Sequence, residues 1–427
     1  MNNLQLEGKK LLILSGGSYM CQIVQTAKEY GVYTIVTDMY TDRSVSPAKL
    51  LADEAWDISW NDTDALAKKC RAEGINGVFT GFSEFCAVAA RRLCDVLDLP
   101  FYATMEQIDI TRDKVKFKNL CQQNGVMVVD RYTNRNEVCF PVVVKPTDNA
   151  GSRGISVCYD AGELEIGIEK ALAFSGSKTI EFEPFVDRPE VNVSYTIQNG
   201  EISLSCVSDA QAGMQKHGQI KMTDGWLFPS KYLSQYLDRC DEKVKSMLKS
   251  IGIKNGFMFI TGFYDEPDFR IFEAGYRLGG GTTYNFIAYN NEINYMKMMI
   301  AHSLTGKMAG WDVREKDDPF FKKPCCNLTV MAKPGKVGHI GDIEALRKMD
   351  GVLSVDQFYT QGQEIPDSGA LNQTFARVNI VAESAEQLAD RIDKSYELIN
   401  LRDEHGEDMI LSRLSHEKIA HYWDGCK

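Results

Sequence analysis

The strongest constraint on the fold is a change of rhythm near residue 111. Before it, an apolar run at Lys10 to Leu14 meets the turn SGGSYM, an amphipathic stretch to Tyr30 follows, and VYTIVTD restores the strand pattern. That strand-loop-helix-strand unit is repeated by DALAKKCRAEGINGVFTGF and by SEFCAVAARRLCDVLDLPF, which predicts an open parallel sheet over residues 1–110. The loop after the first strand lacks a full GxGxxG, so a tight turn into a helix outweighs dinucleotide binding. From Thr111 one helix is expected to run to Gly125. Hairpins then take over: FPVVVKP and GISVCYD flank a polar loop, and TIEFEPFV and VNVSYTIQNGEISLSCVS supply further strands. Strands in hairpins with helices between them indicate an α+β domain over 111–310. A charged linker, Trp311 to Lys323, leads to a small α+β domain at 324–427.

A formal charge of −11 argues against a surface that tracks nucleic-acid phosphates or an anionic membrane. No apolar stretch is long enough to span a bilayer, and the first residues read as a strand rather than a leader. The 12 cysteines form no CxxC pair, which fits reduced thiols in a cytoplasmic protein. His416 and His421 in HEKIAH are five positions apart where a zinc helix needs four.

Chemistry concentrates in three segments. In PVVVKPTDNAGSRGI, Lys145 closes a β-branched strand before a loop rich in Gly, Ser, Asn and Asp. Such a loop can fold its N–H groups over polyphosphate while the lysine supplies charge. Lys114 lies upstream, early in a helix. In EFEPFVDRPEV, an extended segment offers backbone groups to an adenine ring; Pro184 has no N–H, so Val186 is the expected donor, and Glu190 falls where ribose hydroxyls would lie. In FMFITGFYDEPDFRIFEAGYRLGGG, a hairpin delivers Glu273, an oxygen ligand of the kind magnesium takes beside a triphosphate. Arg277 follows four residues later, able to grip a carboxylate or an acyl-phosphate.

In this order the segments resemble the ATP-grasp superfamily, in its carboxylate-amine ligase branch, with members such as L-amino-acid ligases, glycinamide ribonucleotide synthetase and carbamoyl phosphate synthetase. The resemblance implies a Rossmann-like pre-ATP-grasp domain (1–110), an ATP-grasp domain (111–310) and a small C-terminal domain (324–427). It implies that Lys114 and Lys145 hold the nucleotide phosphates, that Gly151, Ser152 and Gly154 form the phosphate lid, and that Glu183, Pro184 and Val186 form the adenine hinge. Glu190 becomes the ribose carboxylate, Glu273 the metal glutamate and Arg277 the acyl-phosphate arginine. Glu84, in GFSEF, matches an acidic residue turned toward substrate in several relatives, and His217, in the loop from Ala210 to Met222, is a further substrate candidate. The implied activity joins a small-molecule carboxylate to an amine, with ATP and Mg2+ as cofactors, and a homodimer is among the expected assemblies. Two positions depart from the pattern: Thr261 stands where a first metal ligand is usual, and Gly275 where an asparagine is. They leave open an ATP-binding protein with a degenerate metal site, acting as a regulatory partner. A carboxylase using bicarbonate shares the nucleotide site but has no pocket signature here.

Overall fold

Short strands alternate with helices along the first part of the chain. In the computed structural model, which describes residues 6–149, 151–213 and 216–425, strands β1 (Lys10–Leu14), β2 (Tyr33–Thr37), β3 (Glu54–Trp56) and β4 (Gly77–Phe79) make a parallel sheet in the order β3-β2-β1-β4. Leu11 and Ile13 of β1 enter one core and Leu12 and Leu14 another, so the central strand is buried on both faces, as a parallel sheet requires. Helices α1 (Met20–Lys28), α2 (Ala48–Leu51), α3 (Thr63–Glu73) and α4 (Glu84–Leu97) connect the strands or follow them. Ser83 caps α4 by accepting the Cys86 N–H, which fixes Glu84 in the first turn.

The single helix expected from Thr111 is two. Asp113 is extended and serves both as the end of α5 (Met105–Arg112) and as the cap of α6 (Lys114–Gln123), accepting the Lys116 N–H at 2.9 Å. A short acceptor side chain competes with helix continuation, and here the cap wins. Lys114 thereby becomes the first residue of α6.

A small antiparallel sheet, β6-β5-β7, is built from β5 (Val142–Pro146), β6 (Ser156–Cys158) and β7 (Ile180–Pro184), with α7 (Ala161–Phe174) over its own core of Val142, Val144, Cys158, Leu164 and Ala171. The largest sheet comprises β8 (Glu190–Gln198), β9 (Glu201–Ala212), β10 (Thr223–Phe228), β11 (Gly256–Asp265), β12 (Asp268–Gly275), β13 (Cys325–Met331), β15 (Val352–Gln357) and β17 (Thr374–Val381). It is antiparallel throughout, in the order β12-β11-β8-β9-β10-β13-β17-β15. Its hydrogen bonding crosses residue 324 through the β10–β13 pair. The strands β14 (Gly335–His339), β16 (Glu364–Ile365) and β18 (Arg402–Asp403) form a short sheet at one side.

The stretch read as a linker is fastened to this sheet: Asp317 accepts from Ser205 at 2.6 Å and from Asn291 at 3.0 Å, and the Trp311 carbonyl accepts from Gln198 at 2.6 Å. The described cysteines are free thiols, and no helix among the described residues is long and apolar enough to cross a membrane.

Candidate functional site

Two lysines, one from a helix and one from a strand, meet two glutamates of a neighbouring strand. Lys114 and Lys118 share a face of α6, four residues apart, while Glu181 and Glu183 alternate onto the same face of β7, opposite Lys145 of β5. Lys145 Nζ lies 2.7 Å from Glu183 and 3.4 Å from Glu181; Lys118 bonds to Glu183 and lies 3.4 Å from Glu181. All four are buried. Burial opposes the Lys145 charge, but Glu183 and Glu181 outweigh it and hold the ammonium above the usual lysine range. Burial likewise opposes the Glu181 charge, and Lys145, Lys118 and Lys114 hold it below the ordinary carboxylate value. Lys118 was absent from the sequence reading, although its spacing from Lys114 signals a shared helix face.

Lys114 differs from its neighbours. It is 7% exposed, and its Nζ donates to the Asn149 carbonyl at 2.7 Å. Among the described residues no carboxylate lies within ion-pairing distance. Burial therefore dominates and lowers its pKa, with the field of Glu273 acting the other way. It lines a recess of about 30 Å³ together with Glu84, Asn149 and Glu273.

The recess adjoins a cavity of about 960 Å³ that Glu84 and Glu273 also line, along with Gly151, Ser152, Glu190 and Arg277. In the loop above, Gly151, Ser152 and Gly154 adopt left-handed backbone. Gly154 lies beneath the loop, where a Cβ would sit 2.7 Å from Phe174 Cβ and 2.9 Å from Pro146 Cγ, so it anchors the loop. Ala150, at the loop's centre, lies outside the described residues.

The hinge candidates sit at the end of β7. The Phe185 N–H is spent on the Pro141 carbonyl at 3.1 Å, whereas among the described residues none accepts from the Val186 N–H. Glu183, Pro184 and Val186 do not line the large cavity; Glu190, at the start of β8, does. The Glu190 carboxyl is pushed up to about 8, by desolvation first and then by the Glu273 carboxylate.

On the β11–β12 hairpin a bulge between Thr261 and Gly262 puts Thr261 opposite Glu273. Thr261 Oγ1 accepts from Asn192 at 3.1 Å. Glu273, Thr261, Asn192 and Glu190 thus present hard oxygen donors to one space, a set that fits magnesium with the Glu273 carboxyl in the lead. The absent asparagine has a steric explanation. Gly275 faces Phe259 across the hairpin, and a Cβ there would lie 2.2 Å from Phe259 Cζ. The ring occupies the volume an asparagine would need.

Arg277 and Glu84, assigned separately from the sequence, form an ion pair. Arg277 Nε donates to Glu84 Oε1 at 2.7 Å, its Nη2 bonds to the same oxygen, and Nη1 donates to the Leu278 carbonyl at 2.8 Å. The guanidinium lies over the Phe259 ring, 5.1 Å from its centre. Cap geometry at Ser83 and strand geometry at β12 bring together groups 193 positions apart. His217 is not brought to this cavity; it is exposed, stacks on Tyr159 at 4.7 Å and meets Glu163 at 2.7 Å.

The sequence reading also missed the far wall, where Tyr19, Phe82, Phe358, Thr374 and Arg377 line the cavity. Tyr19 and Phe82 follow β1 and β4 of the parallel sheet, at the carboxyl ends where ligands enter folds of this kind.

No protein-family model matches the chain. Among curated proteins, it is 25% identical over 207 residues to the 2-oxoglutarate carboxylase small subunit of Hydrogenobacter thermophilus, covering 43% of each. The chain spans less than half the length of the first curated relatives it matches. Among solved structures, L-amino acid ligase from Bacillus licheniformis superposes with a TM-score of 0.74 at 18% identity, over 92% of this chain and 98% of that one. Phosphoribosylglycinamide synthetase from Anaerococcus prevotii gives 0.71 at 20% identity, over 93% and 100%.

Proposed function

We propose that this chain, whose fold is that of the ATP-grasp ligases, is an ATP-dependent ligase that activates a small-molecule carboxylate for attack by an amine. A substrate carboxylate oxygen attacks the γ-phosphorus of ATP, the bond to ADP breaks and an acyl-phosphate forms. The amine nitrogen then attacks the acyl carbon and phosphate leaves, with loss of a proton from nitrogen. Carboxylate-amine ligases among the relatives and structural neighbours support the reaction class.

The observation that carries the reading is Lys114, a buried ammonium with no carboxylate partner among the described residues, facing Glu273 beneath a loop of left-handed residues. Burying a cation unpaired is costly, and a phosphate oxygen would relieve that cost. Lys145 adds a second positive charge, already steadied by Glu183 and Glu181, and Val186 offers a hinge N–H that no described residue accepts. Arg277 faces the developing acyl-phosphate; because Glu84 occupies its fork, the incoming carboxylate exchanges with Glu84 or shares the guanidinium with it. Magnesium, held by Glu273 with Thr261, Asn192 or Glu190 at its side, would supply charge neutralisation to the phosphates. Cytoplasmic location and homodimerisation belong to the same proposal.

The lone strong carboxylate and the blocked Gly275 position favour a second reading, a nucleotide-binding partner without turnover. One experiment separates the two. The purified protein is melted with and without ATP and magnesium, and ADP release is then measured across amino acids, peptides, diacids and bicarbonate. At a hundred times Kd, ATP should stabilise the fold by about 2.7 kcal/mol. A melt unmoved by ATP would refute both readings; a shifted melt without ADP release from any candidate would leave the silent binder.

A further inference from the structure

Arg377 stands on β17, between Thr329 of β13 and Asp356 of β15 in register, and lines the large cavity. Its Nη1 donates to the Gly280 carbonyl and, at 3.1 Å, to the Tyr19 hydroxyl. The rest of the guanidinium is unsatisfied: Nε is buried with no acceptor, and Nη2 makes no hydrogen bond among the described residues. Asp356 does not neutralise it. One Asp356 oxygen accepts from Gln22 at 2.9 Å and among the described residues the other has no donor, so the two side chains lie in register without an ion pair between them. Two other cations that line the cavity differ, since Arg277 pairs with Glu84 and Lys221 with Asp187.

The surroundings of Arg377 are aromatic. The Tyr19 ring stacks on Phe82 at 4.9 Å and meets Phe358 at 5.1 Å. Phe82 keeps a left-handed backbone, φ 65°, which its N–H bond to the Leu278 carbonyl at 3.0 Å helps to hold. Strain of that kind in a bulky residue persists only where the surroundings enforce it, and it clusters at ligand sites. Tyr19 follows β1 and Phe82 follows β4, the two strands between which the order β3-β2-β1-β4 reverses. Ligands bind at that crevice in open parallel sheets.

We propose that Arg377 is a specificity-determining residue that receives the carboxylate of the amine-side substrate, whose apolar or aromatic body packs against Tyr19, Phe82 and Phe358. The inference rests on the ligase reading and names its second substrate as a carboxylate-bearing amine. The reacting carboxylate belongs near Glu273, where Arg277 stands, four residues on. Arg377 enters from the C-terminal segment on the aromatic side, and it can fix a second oxyanion while the amine of the same molecule stays free to attack. A planar fork beside an aromatic wall suits a carboxylate; a phosphate, with more oxygens to satisfy, would call for more donors than Arg377, Tyr19 and Thr329 provide.

The test is thermal melting of the full chain, in the presence of ATP and magnesium, against the proteinogenic L-amino acids, their carboxamides and O-phosphoethanolamine. The parent should bind at least one apolar or aromatic amino acid roughly tenfold more tightly than its carboxamide. Arg377→Met should abolish that preference and Arg377→Lys should weaken it, while Arg277→Met preserves it. The shift caused by ATP itself should survive Arg377→Met, which shows that the variant is folded and reports separately on the ligase reading. If Arg377→Met does not fold, Arg377→Lys decides alone, and an undiminished preference there overturns the inference. It is overturned equally if no amino acid is preferred over its amide, if the preference survives Arg377→Met or depends on Arg277 alone, or if O-phosphoethanolamine binds best.

Discussion

Replacing Gly275 by asparagine would restore the usual residue of this hairpin, and the geometry predicts that the restoration harms the fold. Gly275 does not use left-handed backbone, so an asparagine is sterically admissible at the main chain, and only the neighbouring ring forbids it. A Cβ there would lie 2.2 and 2.4 Å from Phe259 Cζ and Cε1, far inside ordinary contact at roughly 3.5–4.0 Å. The ring lines the cavity with Arg277 over its face, so yielding to a Cβ would displace it from the guanidinium. Overpacking of this kind costs about 1–3 kcal/mol. Phe259→Ala alone removes a half-buried ring and its contact with the guanidinium, about 2 kcal/mol together. In the double variant the clash disappears, so the two losses should fall short of adding by about 1 kcal/mol or more. Urea midpoints of the parent, both single variants and the double variant measure this coupling. The double variant should also need less magnesium for ATP-induced stabilisation, because the asparagine adds an oxygen donor beside Glu273. Strict additivity, or a neutral Gly275→Asn, would refute the claim that Phe259 excludes the asparagine.

Three further outcomes follow from the same site. Glu273→Gln should keep the melting shift with ATP yet lower ADP release by about two orders of magnitude or more, since an amide is the weaker magnesium ligand; release at the parent's rate would remove Glu273 from the mechanism. Lys118→Met should cost about 3–5 kcal/mol, because it leaves Glu181 and Glu183 buried with Lys145 alone; a loss under about 1 kcal/mol in urea unfolding would mean the cluster tolerates the imbalance. Glu190, raised to about 8 in the folded chain from 4.5, binds its proton more tightly folded than unfolded, so its contribution is full below pH 4.5 and is lost as pH rises toward 8. Glu190→Gln should therefore flatten the decline in melting temperature across that window, and an unchanged decline would place the titration elsewhere.

What was legible in the sequence is what local pattern controls. Lys145 at the end of a β-branched strand, Glu273 on a hairpin signalled by DEPD, and the βα units of the first sheet each declare themselves within a few residues. The interruption at Asp113 was hidden because an aspartate is compatible with both a helix interior and a cap, and only the packing of α5 and α6 decides. The opposition of Thr261 and Glu273 depends on the bulge, since simple counting back from the turn pairs Thr261 with Phe272 instead. The Glu84–Arg277 and Arg377–Tyr19 contacts span 193 and 358 positions, and TFARVNIV reads only as a strand with one odd cation. Nothing local says that β17 lies beside β13 and faces the cavity.

The balance of charge around the cavity ties these pieces together. Lys118 and Lys145 are matched by Glu181 and Glu183, and Arg277 by Glu84, so those groups are neutral as sets before any ligand arrives. Glu190 avoids adding a further charge beside Glu273 by holding its proton. Lys114, at the recess, and Arg377, on the aromatic wall, remain without ion-pair partners among the described residues. A cation withdrawn from water without a counter-ion is costly until something completes it; Lys114 is buried and Arg377 half-buried with its Nε covered, and the two lie on different walls, with Glu273 and the exchangeable Glu84–Arg277 pair lining the space that an acyl group must occupy. A nucleotide phosphate at Lys114 and an amine-borne carboxylate at Arg377 would leave the reacting carboxylate between them, at the arginine whose counter-ion is already poised to be exchanged.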